Sequence, residues 1–343
     1  MKKRMSLVLS VLLVLMMAGC AAPKNDDFTY WNEGAAAITE LKAYVETVTD
    51  EKSPDFIPVE DRIVMFDLDG TLYCETFPIY GEWILYSDYV LNVLKEEAPE
   101  HLRAVAEELA AITWPKDIPS HMEETHIKAH AEAFAGLTIA EYYEIVNKYK
   151  ATEAYGYSGM TRGEAFYLPM LEVVNYLLEN DFIVYICSGT NRFTVRGLID
   201  GVIDIPARQV IGTDFTIVAT GQGDEMDMHY TFTADDELLM GDTLITKNVK
   251  MSKVAQMEQE LGQKPVLVFG NSSGDVPMAV YAVEDNPYKT AAFFLLCDDV
   301  ERERGNLDKA ASMQKTCEEK GWTTISMAND WTTIFGDHVT VVN

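Results

Sequence analysis

Basic residues are scarce in this chain: 27 Lys and Arg stand against 55 Asp and Glu among 343 residues, a formal net charge of −28. Such a surface repels polyanions, which excludes nucleic-acid binding and nonspecific attachment to anionic lipid headgroups as working functions. Cysteine is sparse as well. The five residues include no CxxC pair and no Cys/His spacing of a structural zinc site. With Cys20 set aside, Cys74, Cys187, Cys297 and Cys317 remain; their even number permits disulfides, a Cys297–Cys317 bridge among them, yet Cys187 lies in an apolar run and reads as a core thiol. Internal repeats and low-complexity tracts are absent. Apolar residues at 48% and charged residues at 24% rule out a disordered or collagen-like chain, and the length suits one large core with an inserted module.

What is present begins at the N-terminus. Lys2, Lys3 and Arg4 precede an apolar run from Leu7 to Ala18, broken by Ser10 and short for a bilayer span, so residues 1–19 read as a signal peptide. The run ends in Met17-Ala18-Gly19-Cys20, which resembles the lipobox of bacterial lipoproteins with Met17 in place of the usual leucine. The expectation is a secreted protein, lipidated at Cys20 and held to a bacterial membrane only through that anchor.

Further along, Ile38, Leu41, Val45 and Val48 have helical spacing. Three apolar runs then read as buried strands: Arg62 to Phe66, Phe182 to Cys187 and Pro265 to Phe269. Helical patterns precede the second run (Leu171, Val174, Leu177, Leu178) and the third (Val254, Met257, Leu261). This α/β alternation predicts a Rossmann-like parallel sheet, with the polar clusters that follow each strand gathered at its carboxyl edge. More than a hundred residues separate the first two strands, far more than one crossover helix needs, and Leu102, Val105, Leu109 and Ile112 mark that stretch as helical. The predicted layout is an N-terminal tether and helix over 20–62, an α/β core over 63–80 and 169–343, and a helical cap over 81–168. Residues 209–246 read as a small β-rich excursion.

The chemistry lies after the strands. Asp67-Leu68-Asp69-Gly70-Thr71 places two carboxylates at i and i+2, which suits a nucleophile and a proton donor, although such a turn also serves as a helix cap. Ser188, with the amides of Gly189 and Thr190, offers donors to a phosphate, or simply starts a helix. Lys253, with Lys250 as its competitor, can neutralise a phosphate. Asn271 and Asp275 in Gly270-Asn271-Ser272-Ser273-Gly274-Asp275 supply hard oxygen ligands, or a plain turn.

Taken together and in this order, the four clusters resemble the motifs of the haloacid dehalogenase superfamily, closest to its phosphoserine phosphatase-like branch and to secreted lipoprotein members. The resemblance extends to Tyr30-Trp31-Asn32, Gly321-Trp322 and Asp330-Trp331. It implies Asp67 as nucleophile, Asp69 as acid/base, Thr71, Ser188, Gly189 and Lys253 as phosphate ligands, and Mg²⁺ held by Asp67, Asp69, Asn271 and Asp275. Asn271 stands where many relatives carry aspartate. The acid at Asp69 points to a phosphomonoesterase rather than a dehalogenase, because a departing alkoxide needs a proton. Its substrate is a small phosphorylated molecule. Tyr73, Glu75, Phe77, Tyr80 and Trp83 suggest a cationic or zwitterionic leaving group, with Glu75 meeting the amine, although the rings also suit an apolar seam. The rival readings are a phosphotransferase on the same core and a catalytically silent solute-binding lipoprotein.

Overall fold

The computed structural model describes residues 27–75, 78–113 and 118–342. Residues 1–19, read above as a signal peptide, lie outside the described residues, as do Cys20 and Phe77. Trp31 forms a β-bridge with Trp331 and packs edge-on against it at 6.0 Å, so the two ends of the described chain meet. Helix α1 (Ala36–Thr49) buries Leu41, Tyr44, Val45 and Val48. Strand β1 (Ile63–Phe66) is fully buried, as its four apolar residues require.

After β1 the chain runs through α2 (Gly81–Asp88), a π-helical turn at Tyr89–Leu94, α3 (Glu100–Ala110), α4 (Met122–Phe134) and α5 (Ile139–Lys150). Thr138 and Glu141 form a reciprocal capping box that starts α5. The short β2 (Tyr157–Ser158) follows, and the chain re-enters the core through α6 (Leu168–Glu179), whose Pro169 occupies the first turn. Next come β3 (Ile183–Asn191), α7 (Arg192–Ile199), β4 (Val210–Ala219), β5 (Leu238–Thr246), α8 (Met251–Leu261), β6 (Leu267–Gly270) and α9 (Val276–Val283). The chain closes with β7 (Ala291–Leu296), α10 (Leu307–Lys320), β8 (Thr323–Ser326), α11 (Met327–Asp330) and β9 (Thr340–Val341), which pairs with β2.

The seven-stranded sheet has the order β5-β4-β3-β1-β6-β7-β8, and only the β4/β5 pair is antiparallel. Residues 209–246 therefore extend the main sheet instead of leaving it. On one sheet face Phe66, Phe269 and Phe293 stack at 4.5 and 5.1 Å, joined to the core that includes α1 and α6. On the other, Met65, Val268 and Phe294 pack with α9 and α10 residues. The helical layer rests on the sheet's edge: Gly136 N–H donates to Met240 O and Met240 N–H to Leu137 O, each at 2.8 Å. Cys74, Cys187, Cys297 and Cys317 are all free thiols, so no Cys297–Cys317 bridge forms.

Candidate active site

In-register pairing of Phe66 with Ile186 and with Phe269 sets the end of β1 level with that of β6 and beside β3, which runs on past both, and Asp67 N–H continues the ladder by donating to Phe269 O at 2.9 Å. The turn after β1 is closed by Gly70 N–H to Tyr73 O at 2.7 Å. Gly70 has φ +84°, and a Cβ there would stand 1.8 Å from Asn271 Nδ2, so backbone conformation and space both demand glycine.

Lys253 projects from the first turn of α8 and is 2% exposed. Its Nζ donates to Asp67 Oδ1 at 2.6 Å and to Asp275 Oδ1 at 2.7 Å. Burial works against the ammonium, but Asp275 and Asp67 outweigh it and raise the lysine's pKa. Burial pushes the Asp67 carboxyl up to about 7, helped by neighbouring Asp275 and opposed by Lys253. Asp275 is also penalised by burial, yet Lys253 brings it below the usual carboxylate range. Lys250, the competing lysine, is exposed and lies at the start of α8 with φ 50°. Thr71 donates to Asp67 Oδ2 over a long 3.4 Å.

Asp69 lies beside β3. Thr190 Oγ1 donates to its Oδ2 at 2.8 Å, and Ser188 Oγ donates to the same oxygen at 3.4 Å. Burial pushes the Asp69 carboxyl up to about 7, with Thr190 lowering it and Glu82 and Glu75 raising it. The helix after β3 does not start at Ser188. The strand runs on to Asn191, whose side chain accepts from Phe193 N and Thr194 N and so caps α7. Thr190 N–H turns to Ser188 Oγ at 3.1 Å, so the amide expected to meet phosphate is already engaged; Gly189 lines the cavity, and its carbonyl accepts from Lys247 Nζ at 2.8 Å.

These groups open into a cavity of about 360 Å³ between the strand ends and the helical layer. Six carboxylates line it (Asp67, Asp69, Glu75, Glu82, Glu123 and Asp275) against two ammonium groups, Lys247 and Lys253. Tyr80 and Trp83, packed edge-on at 5.2 Å, supply its aromatic wall. Tyr73 belongs to the core seam instead: it is buried against Phe166 and its hydroxyl donates to Arg162 O at 2.7 Å. Glu75 lines the cavity but is ion-paired with Lys309 of α10, at 2.6 and 2.5 Å. Sequence reasoning missed Glu82, Lys247, the Thr190 hydroxyl and Lys309. A glutamate between Gly81 and Trp83 at the start of an apolar helix is a detectable signal for the first; nothing local marks Lys309.

Among the described residues, no group of three or more His, Cys, Asp or Glu side chains is arranged to hold a metal. A cation at this site would need an oxygen ligand besides the carboxylates. Asn271 fits that role: it is 2% exposed, neither side-chain amide atom has a hydrogen-bond partner among the described residues, and it abuts the Asp69-Gly70 turn. Asp67 Oδ2 is the carboxylate oxygen that Lys253 leaves open. The expected direct role of Asp275 meets a different geometry. Its Oδ1 is taken by Lys253, while its Oδ2 accepts from Asn271 N, Ser272 N and Ser272 Oγ at 3.2, 3.0 and 2.9 Å, fastening the loop and the lysine.

A parallel sheet with two acidic residues after its central strand, a buried lysine between carboxylates and a helical layer above defines a class of α/β hydrolase. The model of the haloacid dehalogenase-like hydrolases matches residues 64–280, and the chain belongs to that family. No curated protein matches the sequence. Among solved structures, a functionally unknown protein from Anaerococcus prevotii DSM 20548 shares the fold at TM-score 0.53 and 13% identity, over 87% of this chain and 92% of that one. Cytosolic 5'-nucleotidase IIIB bound to cytidine aligns at TM-score 0.46 and 12% identity, over 85% and 87%. A phosphoserine phosphohydrolase-like protein from Francisella tularensis subsp. tularensis SCHU S4 aligns at 0.38 and 16%, over 74% and 99%.

Proposed function

We propose that the chain is a Mg²⁺-dependent phosphomonoesterase that works through a phosphoaspartyl intermediate on Asp67 and acts on a small ester with a cationic or zwitterionic leaving group. The observation that carries the reaction is the Lys253 clamp on Asp67 next to a buried Asp69 fixed by Thr190. An Asp67 oxygen attacks phosphorus while the Asp69 carboxyl, held partly protonated at neutral pH by burial, gives its proton to the departing alkoxide. Asp69, now a carboxylate, then takes a proton from water, which attacks the phosphoaspartate and releases phosphate. Lys253 offsets negative charge on Asp67 and on the phosphoryl group, and Ser188 is placed to meet a phosphate oxygen. Asp67, the Asp69 carbonyl and Asn271 would hold Mg²⁺, which would supply further neutralisation of negative charge at the site.

The excess of six carboxylates over two ammonium groups supports the leaving-group class, because a dianionic ester gains from bringing its own positive charge. Tyr80 and Trp83 offer ring faces to an ammonium. Glu75, neutralised by Lys309, shares that role with Glu82 and Glu123. Residues 81–168 act in this reading as the cap that encloses the ester, and lipidation of Cys20 after secretion holds the enzyme to its membrane; loss of the Cys20→Ser variant from the membrane fraction is the test of that anchor. For the activity, purified residues 21–343 should release phosphate from phosphocholine, phosphoethanolamine or phosphoserine faster than from glycerol phosphate, and only with Mg²⁺. Asp67→Asn should lower the rate at least about 1,000-fold. Full activity in that variant sinks the mechanism, and a preference for glycerol phosphate sinks the leaving-group class.

A further inference from the structure

The N-terminus enters the fold at the same sheet edge as the catalytic cavity. Strand β8 runs parallel to β7 and ends at Ser326, and α11 carries the chain on to Asp330 at that carboxyl edge. There Asn32 N–H donates to Asp330 O at 2.8 Å and Thr332 N–H to Tyr30 O at 2.9 Å. Helix α1 then crosses to the opposite edge, where the Tyr44 hydroxyl donates to Val266 O, just before β6, at 3.0 Å. The carboxyl edge also holds a second cavity of about 1120 Å³ that adjoins the catalytic one; Glu75, Tyr80 and Val249 line both. Buried Tyr167, Met313 and Met327 give it apolar surface, and the Tyr167 ring packs on Trp331 at 5.7 Å, beside the incoming chain. Val300 and Leu307 in its lining are 53% and 59% exposed, and Met251 in the first turn of α8 is 67% exposed.

We propose that the carboxyl edge faces the membrane and that the second cavity takes the apolar chain of an amphiphilic phosphomonoester drawn from it. The inference rests on the phosphomonoesterase and Cys20-anchor readings and adds to them a chain on the leaving group. Cys20 lies seven residues before Asp27, a span of at most about 25 Å, and a globule of this length is about 50 Å across, so the anchor cannot let the opposite edge face the bilayer. Charge does not seat the edge, because the chain is acidic. The tether does, and exposed Met251, Val300 and Leu307 lower the cost of contact with a neutral lipid surface. An amphiphile leaving the bilayer keeps its chain out of water only if an apolar surface receives it, and the second cavity offers one beside the reacting carboxylates. The reaction at phosphorus is unchanged; only the leaving alcohol is longer.

Two measurements test this. With purified residues 21–343, monomeric 2-aminooctyl phosphate should exceed phosphoethanolamine in kcat/KM by at least about tenfold, because the added hexyl chain leaves water while the amine is kept. Ser312→Trp, which fills the second cavity from the exposed side of α10, should cut that ratio at least about fivefold, and Leu307→Asp should cut it about threefold. Equal values for the two esters, or a ratio that neither substitution moves, overturn the cavity assignment. For the surface, the lipidated full chain on phosphatidylcholine vesicles should be acetylated at Lys250, on the carboxyl edge, at least about threefold more slowly than residues 21–343 in the same suspension, with Lys289, exposed ahead of β7 on the opposite edge, unchanged. Slowing at Lys289 instead of Lys250 reverses the orientation, and slowing at Lys250 that grows with the concentration of residues 21–343 assigns the edge to a second copy; either overturns the proposal. Failure of the wild type to turn over either ester removes the phosphomonoesterase reading, and a Cys20→Ser variant retained in the membrane fraction removes the anchor reading. Both are distinct from equal turnover of the two esters by an active enzyme.

Discussion

One ammonium group answers two buried carboxylates in this site, and most of the local electrostatics follows from that ratio. Lys253 is 2.6 Å from Asp67 and 2.7 Å from Asp275, all three almost sealed from water. Removing one partner of a buried ion pair leaves an uncompensated charge at a cost of about 3–5 kcal/mol. Lys253→Met keeps the length of the side chain and removes the charge, so Asp67 and Asp275 are left facing each other in a low dielectric. Their folded-state pKa values must then rise above the unfolded values, and stability held below about pH 4 is lost as pH rises through the raised values. Denaturant unfolding without divalent metal should show a deficit of about 3–5 kcal/mol at pH 8 that shrinks markedly by pH 5. A deficit independent of pH would mean that the lysine contributes packing rather than charge.

At the scale of elements, α4 carries a second buried arrangement, unrelated to phosphate. His126 and His130, four residues apart, are fully buried, with Trp83 and Tyr86 against the first and Phe134 and Phe215 against the second. Among the described residues, both ring nitrogens of His126 and Nδ1 of His130 have no hydrogen-bond partner, and His130 Nε2 meets the Tyr142 hydroxyl at 3.2 Å. Burial drives both imidazoles down, His130 to about 3, with Lys247 adding to the effect and each helped by a positive or imidazole neighbour. A depressed histidine contributes stability above its unfolded pKa near 6.5 and loses it as pH falls, for His130 by about 3 kcal/mol at pH 4.5. Hydrogen exchange in α4 and β5 should therefore accelerate below pH 6, and a His126→Phe/His130→Leu variant that remains folded should resist that change. The same elements show what the sequence makes legible. The strands β1, β3 and β6 stand out because burial on both faces forces continuous apolar runs, and α6 and α8 because one apolar stripe must face the sheet. Asp67, Asp69, Ser188, Lys253 and Asn271 follow from those elements by position. Lys309 does not, because which turn of α10 reaches Glu75 depends on how the helix docks, and local pattern carries no such information; Glu82 leaves only the weaker signal of a charge at the start of an apolar helix. The alternation in β4 marks it as β structure but does not mark it as part of the main sheet, since only its first half is buried as continuously as β1.

For the whole molecule the dominant quantity is its charge of −28, which sets up a long-range field that a phosphate ester must cross. At low ionic strength the screening length is about 30 Å, comparable to a domain, and it falls to about 8 Å near 0.15 M salt. A dianionic ester with a neutral leaving group is repelled over the longer distance. An ester that carries its own ammonium has half the net charge and presents it to a cavity with excess carboxylates, so repulsion in transit is weaker and attraction at the site stronger. Raising salt from roughly 0.01 to 0.15 M at saturating Mg²⁺ should thus increase kcat/KM for glycerol phosphate by about threefold to tenfold. The same change should leave phosphocholine within about twofold, because its weaker long-range repulsion and its short-range attraction are screened together. Parallel responses of the two esters would show that the acidic surface does not discriminate between them, and the preference for a positively charged leaving group would have to come from the cavity alone.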